Sequence, residues 1–399
     1  MSQLTTSPAA RFSGGLFNDC AGSCEAYGAC GGNRNSMPCG CAWPSSSGLR
    51  FKCEKCYLVC RDRKDQGPYG AVDFAAHLFS GKMIQQVALR QDPSLKFPLF
   101  IPMLSQLSKG AGLLPVRWVG ADLLSLFNPR KQKGSTLHPR YASEATAREY
   151  LNVDGDCQLL AVLNGKDEYL EGLWGMGEVE RSAAFHQLQK AGFSAGTGPT
   201  FSITARTTVG TPTPHAHNVA MMMRHHKVVG EMYDSGLGTV PNLYWLDGDE
   251  REIARWAEWL LKNPHVHTVS RDFTLTRKPE TVLRKLIELK HLLKLVGRPL
   301  HVLIVGTGPA NGPLVLRELA RAGHTGIIVT SAPIYDARRT ARKYRIDNGR
   351  IIQDRCVDRP FSELILNNLS VFEASLFNAV KDTEVEQQFV SNIVSGILT

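Results

Sequence analysis

From about residue 97 onward, short apolar runs alternate with longer stretches in which apolar residues recur every three or four positions. The runs fall at 97–103, 116–119, 158–163, 200–204, 240–246, 266–270, 301–306 and 326–330. They are brief, rich in Val, Ile and Leu, and bounded by Gly, Pro, Asn or Asp, which predicts strands. Most are followed by a stretch of helical period, at 179–191, 216–233, 250–261, 280–295, 313–322 and 337–344. Strands alternating with amphipathic helices predict βα units and a parallel sheet. Up to eight strands over about 250 residues fit a full or partial (β/α) barrel better than an open doubly wound sheet. The α/β barrel is therefore expected over residues 97–347. A C-terminal helical extension follows at 348–399, in which 361–398 reads as one or two helices packed on the outside.

The first 63 residues have a different texture. They are rich in Gly, Ser, Asn and Cys and poor in Leu, Ile and Val, so they cannot order themselves around an apolar core. Eight of the ten cysteines lie here, at Cys20, Cys24, Cys30, Cys39, Cys41, Cys53, Cys56 and Cys60; only Cys157 and Cys356 lie outside. Clustered thiols in a reducing compartment are more often metal ligands than disulfides. A small cysteine-rich metal-binding module is thus expected at 1–63, joined to the barrel by a linker at 64–96. The first histidine is His77, so local ligation is by thiolate alone. Zinc favours two CxxC knuckles a dozen or more residues apart, and Cys53–Cys56 is the one such pair. The uneven gaps suit one or two iron–sulfur clusters of the four-iron type better than zinc, which stays the alternative metal.

The segment Cys41…Cys53-Glu-Lys-Cys56-Tyr57, with Arg61 and Arg63 soon after, resembles radical S-adenosylmethionine (radical SAM) barrel enzymes, in the expanded form seen in phage and mobile-element families. Those enzymes hold a [4Fe–4S] cluster by three cysteines, the last two as CxxC followed by an aromatic residue, and leave one iron open to S-adenosylmethionine. The resemblance implies that Cys53, Cys56 and either Cys41 or Cys39 hold the catalytic cluster, with Tyr57 beside the cofactor. The remaining cysteines would ligate an auxiliary cluster or a zinc. The gap before the CxxC is eleven residues where the family usually has three.

The segment from His301 to Pro313 runs from a strand into a helix through Gly306, Gly308 and Gly312. Glycines let backbone approach a phosphate or ribose, and a helix N-terminus offers free N–H groups. The spacing is GxGxxxG and Ser331 stands where an acidic residue would end the next strand, so the loop is an imperfect dinucleotide fingerprint. In a barrel it would lie at the C-terminal mouth and could cradle the adenosyl group of S-adenosylmethionine. Strand ends also present Asn164, Asn242, Tyr244, Asp247 and the charged pair Arg271–Asp272, the candidate catalytic residues. His215 and His217 form an HxH pair, and His225–His226 follow the methionines 221–223, which read as core.

The net charge is +9. With a pI near 9.0, it suits an anionic partner such as nucleic acid or a nucleotide. Residues 337–359 hold eight Lys or Arg against three Asp or Glu. Helical spacing would align Arg338, Arg342 and Arg345 toward phosphates. No apolar run approaches the roughly 20 residues of a membrane span, and the first residues lack the apolar core of a secretory signal, so a cytoplasmic location is expected. The leading expectation is an iron–sulfur barrel enzyme of radical SAM type acting on a nucleic acid or nucleotide. The alternatives are a non-catalytic nucleic-acid-binding protein with a structural metal module, and a nicotinamide- or metal-dependent barrel enzyme.

Overall fold

The computed structural model describes residues 89–104, 113–130, 134–203, 215–274 and 278–397. In chain order, β1 (Phe100–Leu104) and β2 (Trp118–Asp122) lead into the short helix α1 (Leu123–Leu126). An antiparallel hairpin, β3 (Phe127–Arg130) with β4 (Gly134–Leu137), and helix α2 (Glu144–Leu151) come next. β5 (Gln158–Val162) is followed by α3 (Asp167–Trp174) and α4 (Glu178–Lys190). Three βα units then repeat: β6 (Phe193–Thr197) with α5 (His215–Asp234), β7 (Gly238–Val240) with α6 (Glu250–Lys262), and β8 (Thr268–Asp272) with α7 (Pro279–Val296). β9 (His301–Val305) with α8 (Gly312–Arg321) and β10 (Thr325–Thr330) with α9 (Ala332–Thr340) complete the ring. A second hairpin, β11 (Arg342–Asp347) with β12 (Arg350–Arg355), and the long helix α10 (Phe361–Ile397) follow.

The sheet order is β7-β6-β5-β2-β1-β10-β9-β8, with every pairing parallel. The remaining seam, between β7 and β8, is stitched by the parallel bridge Asn242↔Ser270. Leu243 N–H donates to Ser270 O and Ser270 N–H to Pro241 O across it. The result is an eight-stranded parallel α/β barrel, as the alternation predicts.

Side chains divide between the two faces of each strand by the period of two. Ile101, Trp118, Leu160, Val240, Leu303 and Ile327 fill the interior as one buried cluster, and their neighbours along the strands pack outward under the helices. The amino-terminal end of the barrel is closed by residues before β1. Phe97 packs on Trp118 with the rings tilted and their centroids 4.6 Å apart, and the Gln91 amide donates to Thr239 O and Thr268 O while accepting from His267 and Thr268 N–H. The opposite end is open to the connecting loops. Phe372 of α10 meets Phe100 of β1 edge-on at 5.0 Å, so this helix covers the outer face of β1.

Several elements differ from the sequence expectation, among them β12 (Arg350–Arg355), a strand where the expected C-terminal helical extension at 348–399 begins. The fourth strand is Phe193–Thr197, not 200–204. Its sequence FSAGT is too poor in large apolar residues to stand out, and packing around it is close: a Cβ on Gly196 would lie 3.3 Å from Leu237 Cδ2 and 3.4 Å from Ala161 Cβ. The helix expected at 337–344 stops at Thr340, where Ala341 turns left-handed (φ 48°). Arg342 opens a strand instead, because Asn348–Gly349 forms a two-residue turn with both φ positive, at 48° and 72°. Asn-Gly is the strongest short hairpin signal, and here it overrides the helical spacing of the arginines.

Candidate functional site at the barrel mouth

On the interior face, the residue two positions past the last apolar side chain of a strand is repeatedly polar. Asn164 follows Val162 of β5, Asn242 follows Val240 of β7, and Thr307 follows Val305 of β9. Thr197 ends β6, and Asp122 ends β2 opposite Val162 in the register. These residues gather at the carboxyl ends of the strands, where ligands bind in barrel enzymes.

Asn164, Thr197 and Asn242 form one network. The Thr197 hydroxyl accepts from Leu163 N–H at 3.0 Å and donates to Asn164 Oδ1 at 3.1 Å. The same Oδ1 accepts from Asn242 Nδ2 at 3.1 Å, and Nδ2 also reaches Gly198 O at 3.3 Å. These contacts fix both amides and leave Asn164 Nδ2 and Asn242 Oδ1 buried without a partner among the described residues. The network therefore offers one donor beside one acceptor. Thr307 Oγ1 is a third buried polar atom without a partner at the same end. A buried polar group left unpaired costs about 1–3 kcal/mol, and such a set is the complement of a ligand's polar edge.

His225 of α5 holds this network from behind. Its Nδ1–H donates to Pro199 O at 2.6 Å, so Nε2 accepts from Asn242 N–H at 3.3 Å. Burial drives its pKa down from 6.5 to about 4, so the ring is neutral and the tautomer fixed by its two partners. Gly198 is required there, since a Cβ would lie 2.3 Å from His225 Cε1. Asp122 is a carboxylate at this end with a displaced pKa. Burial raises it above 3.8, against the lowering effect of Ser125, whose N–H donates to Asp122 Oδ1 at 2.9 Å.

The strand-end pair Arg271–Asp272 is split by the pleat. Asp272 stays at the rim, where its carboxylate accepts from Thr274 N–H at 2.6 Å. Arg271 points into the wall, 3.7 Å over the Trp245 ring, and donates to Leu243 O at 2.9 Å. Its Nε has no partner, and burial lowers its pKa to about 10 against the pull of Asp272, Glu288 and Asp247. Tyr244 lies in the wall too, donating to Met221 O at 3.1 Å, and Asp247 pairs with Arg284 at 2.6 Å on the surface.

In the glycine loop, two of three glycines answer packing needs. Gly306 has φ +90°, and a Cβ there would come within 2.7 Å of Thr274 Cα. A Cβ on Gly312 would press the Phe372 ring at 3.1 Å. Gly312 N–H is spent on Gly308 O, and Pro313 has none. Gly308 alone has ordinary space, its nearest neighbour Ala332 Cβ lying 3.6 Å from an added Cβ. His215 and His217 lie in the first turn of α5. Met221 and Met222 are core, as expected. His226 is buried between Trp256, 4.9 Å away and stacked, and Trp259, 5.3 Å away, with no partner for either nitrogen. Cys20, Cys24, Cys30, Cys39, Cys41, Cys53, Cys56, Cys60 and Tyr57 lie outside the described residues. Among the described residues no three His, Cys, Asp or Glu side chains are grouped to hold a metal, and no helix is long and apolar enough to cross a membrane.

Fold and mouth thus define an α/β barrel with a cluster of buried polar side chains at the carboxyl ends of its strands. No family model and no curated protein matches the sequence. Among solved structures, the chain is similar to the copper homeostasis protein CutC from Streptococcus agalactiae, at 12% identity and a TM-score of 0.35, over 59% of this chain and 99% of that one. So distant a likeness says nothing about activity.

Proposed function

We propose that this chain is a barrel enzyme that seats a polar ligand edge on Asn164 and Asn242 and works with an iron–sulfur centre of radical SAM type held by Cys20–Cys60. The observation that carries the reading is the buried donor and acceptor left open side by side at the mouth. A ligand presenting an acceptor next to a donor, such as an amide or the edge of an adenine ring, would satisfy both. The donor set of the amino-terminal segment, eight thiolates with no histidine before His77, fits iron–sulfur ligation, and its CxxCY is the part that resembles the radical enzymes. Such a cluster supplies electrons that amides and hydroxyls cannot.

The chain's own contribution is orientation and proton control. Thr197 holds the Asn164 amide, Asn164 and Gly198 O hold that of Asn242, and His225 fixes the Asn242 backbone, so the ligand meets a site already organised. Asp122, held above the ordinary carboxylate range by burial, is placed to hold or release a proton beside the ligand.

The test is the visible spectrum and metal content of anaerobically purified full-length protein, with titration of S-adenosylmethionine. Brown protein containing iron is expected, and Asn242→Ala should weaken S-adenosylmethionine binding about tenfold or more, since loss of one paired polar contact is worth 1–3 kcal/mol. Colourless protein with zinc in closed four-thiolate sites would replace this reading by a structural module.

A further inference from the structure

We propose that a cavity between the end of α9 and the β11–β12 hairpin binds successive phosphates of a single-stranded nucleic acid. The cavity has a volume of about 710 Å³ and is lined by Arg338, Arg339, Arg342 and Arg355 with Thr340, Ala341 and Gln353. Among the described residues no carboxylate lines it. It belongs to no part of the mouth, since α9 starts at the carboxyl end of β10 and carries the chain away from it.

Three observations argue that these arginines await an anion. First, Arg342 and Arg355 stand directly opposite one another in the hairpin register, and like charges so placed destabilise a strand pair. Second, Arg338 Nη1 is buried without a hydrogen-bond partner. Third, the local acids are engaged elsewhere. Asp354 and Asp347 pair with Arg345 at 2.6 and 3.5 Å, and Asp336 accepts from Tyr344 Oη at 2.5 Å and from Gln353 Nε2 at 3.3 Å. Arg342 reaches a neutral acceptor, Gln353 Oε1, at 2.7 Å.

A helix C-terminus attracts cations, but that of α9 is already closed. Ala341 N–H and the Thr340 hydroxyl both donate to Asp336 O, and Ala341 O accepts from Cys356 N–H. The helix terminus thus makes no claim on the guanidiniums, none of which is paired with a carboxylate among the described residues, and their planar forks suit phosphate oxygens. Tyr335, 50% exposed, lies one turn earlier on the face of α9 that carries Arg338 and Arg339. It offers a platform on which an unpaired base can stack, which favours a single strand over a duplex or a small polyphosphate.

The expectation of an arginine face at Arg338, Arg342 and Arg345 is corrected accordingly. Arg345 is neutralised on the strand, and Arg339 and Arg355 take its place.

The test uses the full-length protein and fluorescence anisotropy of a labelled mixed-sequence single strand across a salt series. Binding should weaken linearly in log–log form, and Arg339→Gln with Arg355→Gln should reduce the slope by about 1.4, at about 0.7 per lost phosphate contact. Both residues are exposed, and an unchanged thermal midpoint would show that the fold is kept. Arg345→Gln should leave the slope as it is. Absence of binding at low salt, an unchanged slope in the double variant, or an equal loss in Arg345→Gln would each overturn the proposal. So would tighter binding of the matched duplex, or of inorganic tripolyphosphate with no binding of the strand.

Discussion

His226 is buried to 1% exposure with both ring nitrogens unpartnered. Burial and the adjacent His225 push its pKa well below 6.5. Nothing in its surroundings uses its polarity: Trp256 and Trp259 meet it as one ring meets another. His226→Phe should therefore raise stability, by about 1 kcal/mol from the removal of unpaired buried groups, read as a higher urea midpoint. The same variant should change the pH dependence. His225 and His226 have folded pKa values below the usual 6.5, so their contribution is present above 6.5 and is lost as pH falls toward their folded values. Each depresses stability by up to about 1.4 kcal/mol per pH unit in that window. Glu252 opposes them, because burial raises its pKa to about 7 and the folded protein takes up its proton first as pH falls. The phenylalanine variant should show a visibly flatter decline between pH 6.5 and 5. An unchanged slope would mean that His226 is charged or partnered in the folded protein.

The strand-end residues show what a sequence can disclose at this scale. Asn164 and Asn242 are visible as polar residues closing apolar runs, because the period of two carries the interior face past the last Val. Thr197 and the supporting role of His225 are not, since both depend on which loop the α5 helix presses against. The Arg271–Asp272 pair looks like one unit in sequence, and the same period separates the two side chains in space.

Among the elements, the glycine loop after β9 offers a clean separation of folding from binding. Gly306→Ala should destabilise, because φ +90° is unfavourable for alanine and the new Cβ would strike Thr274; a cost of about 1–3 kcal/mol is expected. Gly308→Ala should leave the thermal midpoint unchanged, since its Cβ meets only Ala332 at an ordinary 3.6 Å. If the loop cradles the adenosyl group of S-adenosylmethionine, Gly308→Ala should weaken binding of that compound while the fold stays intact. Equal binding by the variant would leave the loop as a strand–helix turn. Element types were legible where the period was long and unbroken, as in α6, whose Ile253, Trp256, Ala257 and Leu260 form one buried stripe. They were not legible at β6, where the barrel wants small residues, or at β11, where a turn two residues long outweighs the helical spacing before it.

For the molecule as a whole, the described barrel carries its own core, in an interior cluster and an outer layer beneath the helices. If the cysteines hold a metal, its removal is expected to expose the amino-terminal segment to protease while leaving the helical circular dichroism of the barrel nearly unchanged, because the segment is poor in apolar residues. The cysteines should also fail in two distinct ways. If Cys53 and Cys56 share an open-cornered cluster and Cys20, Cys24 and Cys30 belong to another, Cys53→Ala or Cys56→Ala should remove about half the iron and abolish cleavage of S-adenosylmethionine. Cys20→Ala or Cys24→Ala should also cost iron yet leave binding of that compound partly intact. Iron quantitation and product chromatography on the four variants, each checked for an unchanged barrel by circular dichroism, separate the two sets. Identical losses in all four would place every thiolate in one shared site. A full complement of zinc in the wild type, bound by closed sets of four thiolates, would remove the radical reading and leave the mouth to bind its ligand without redox chemistry.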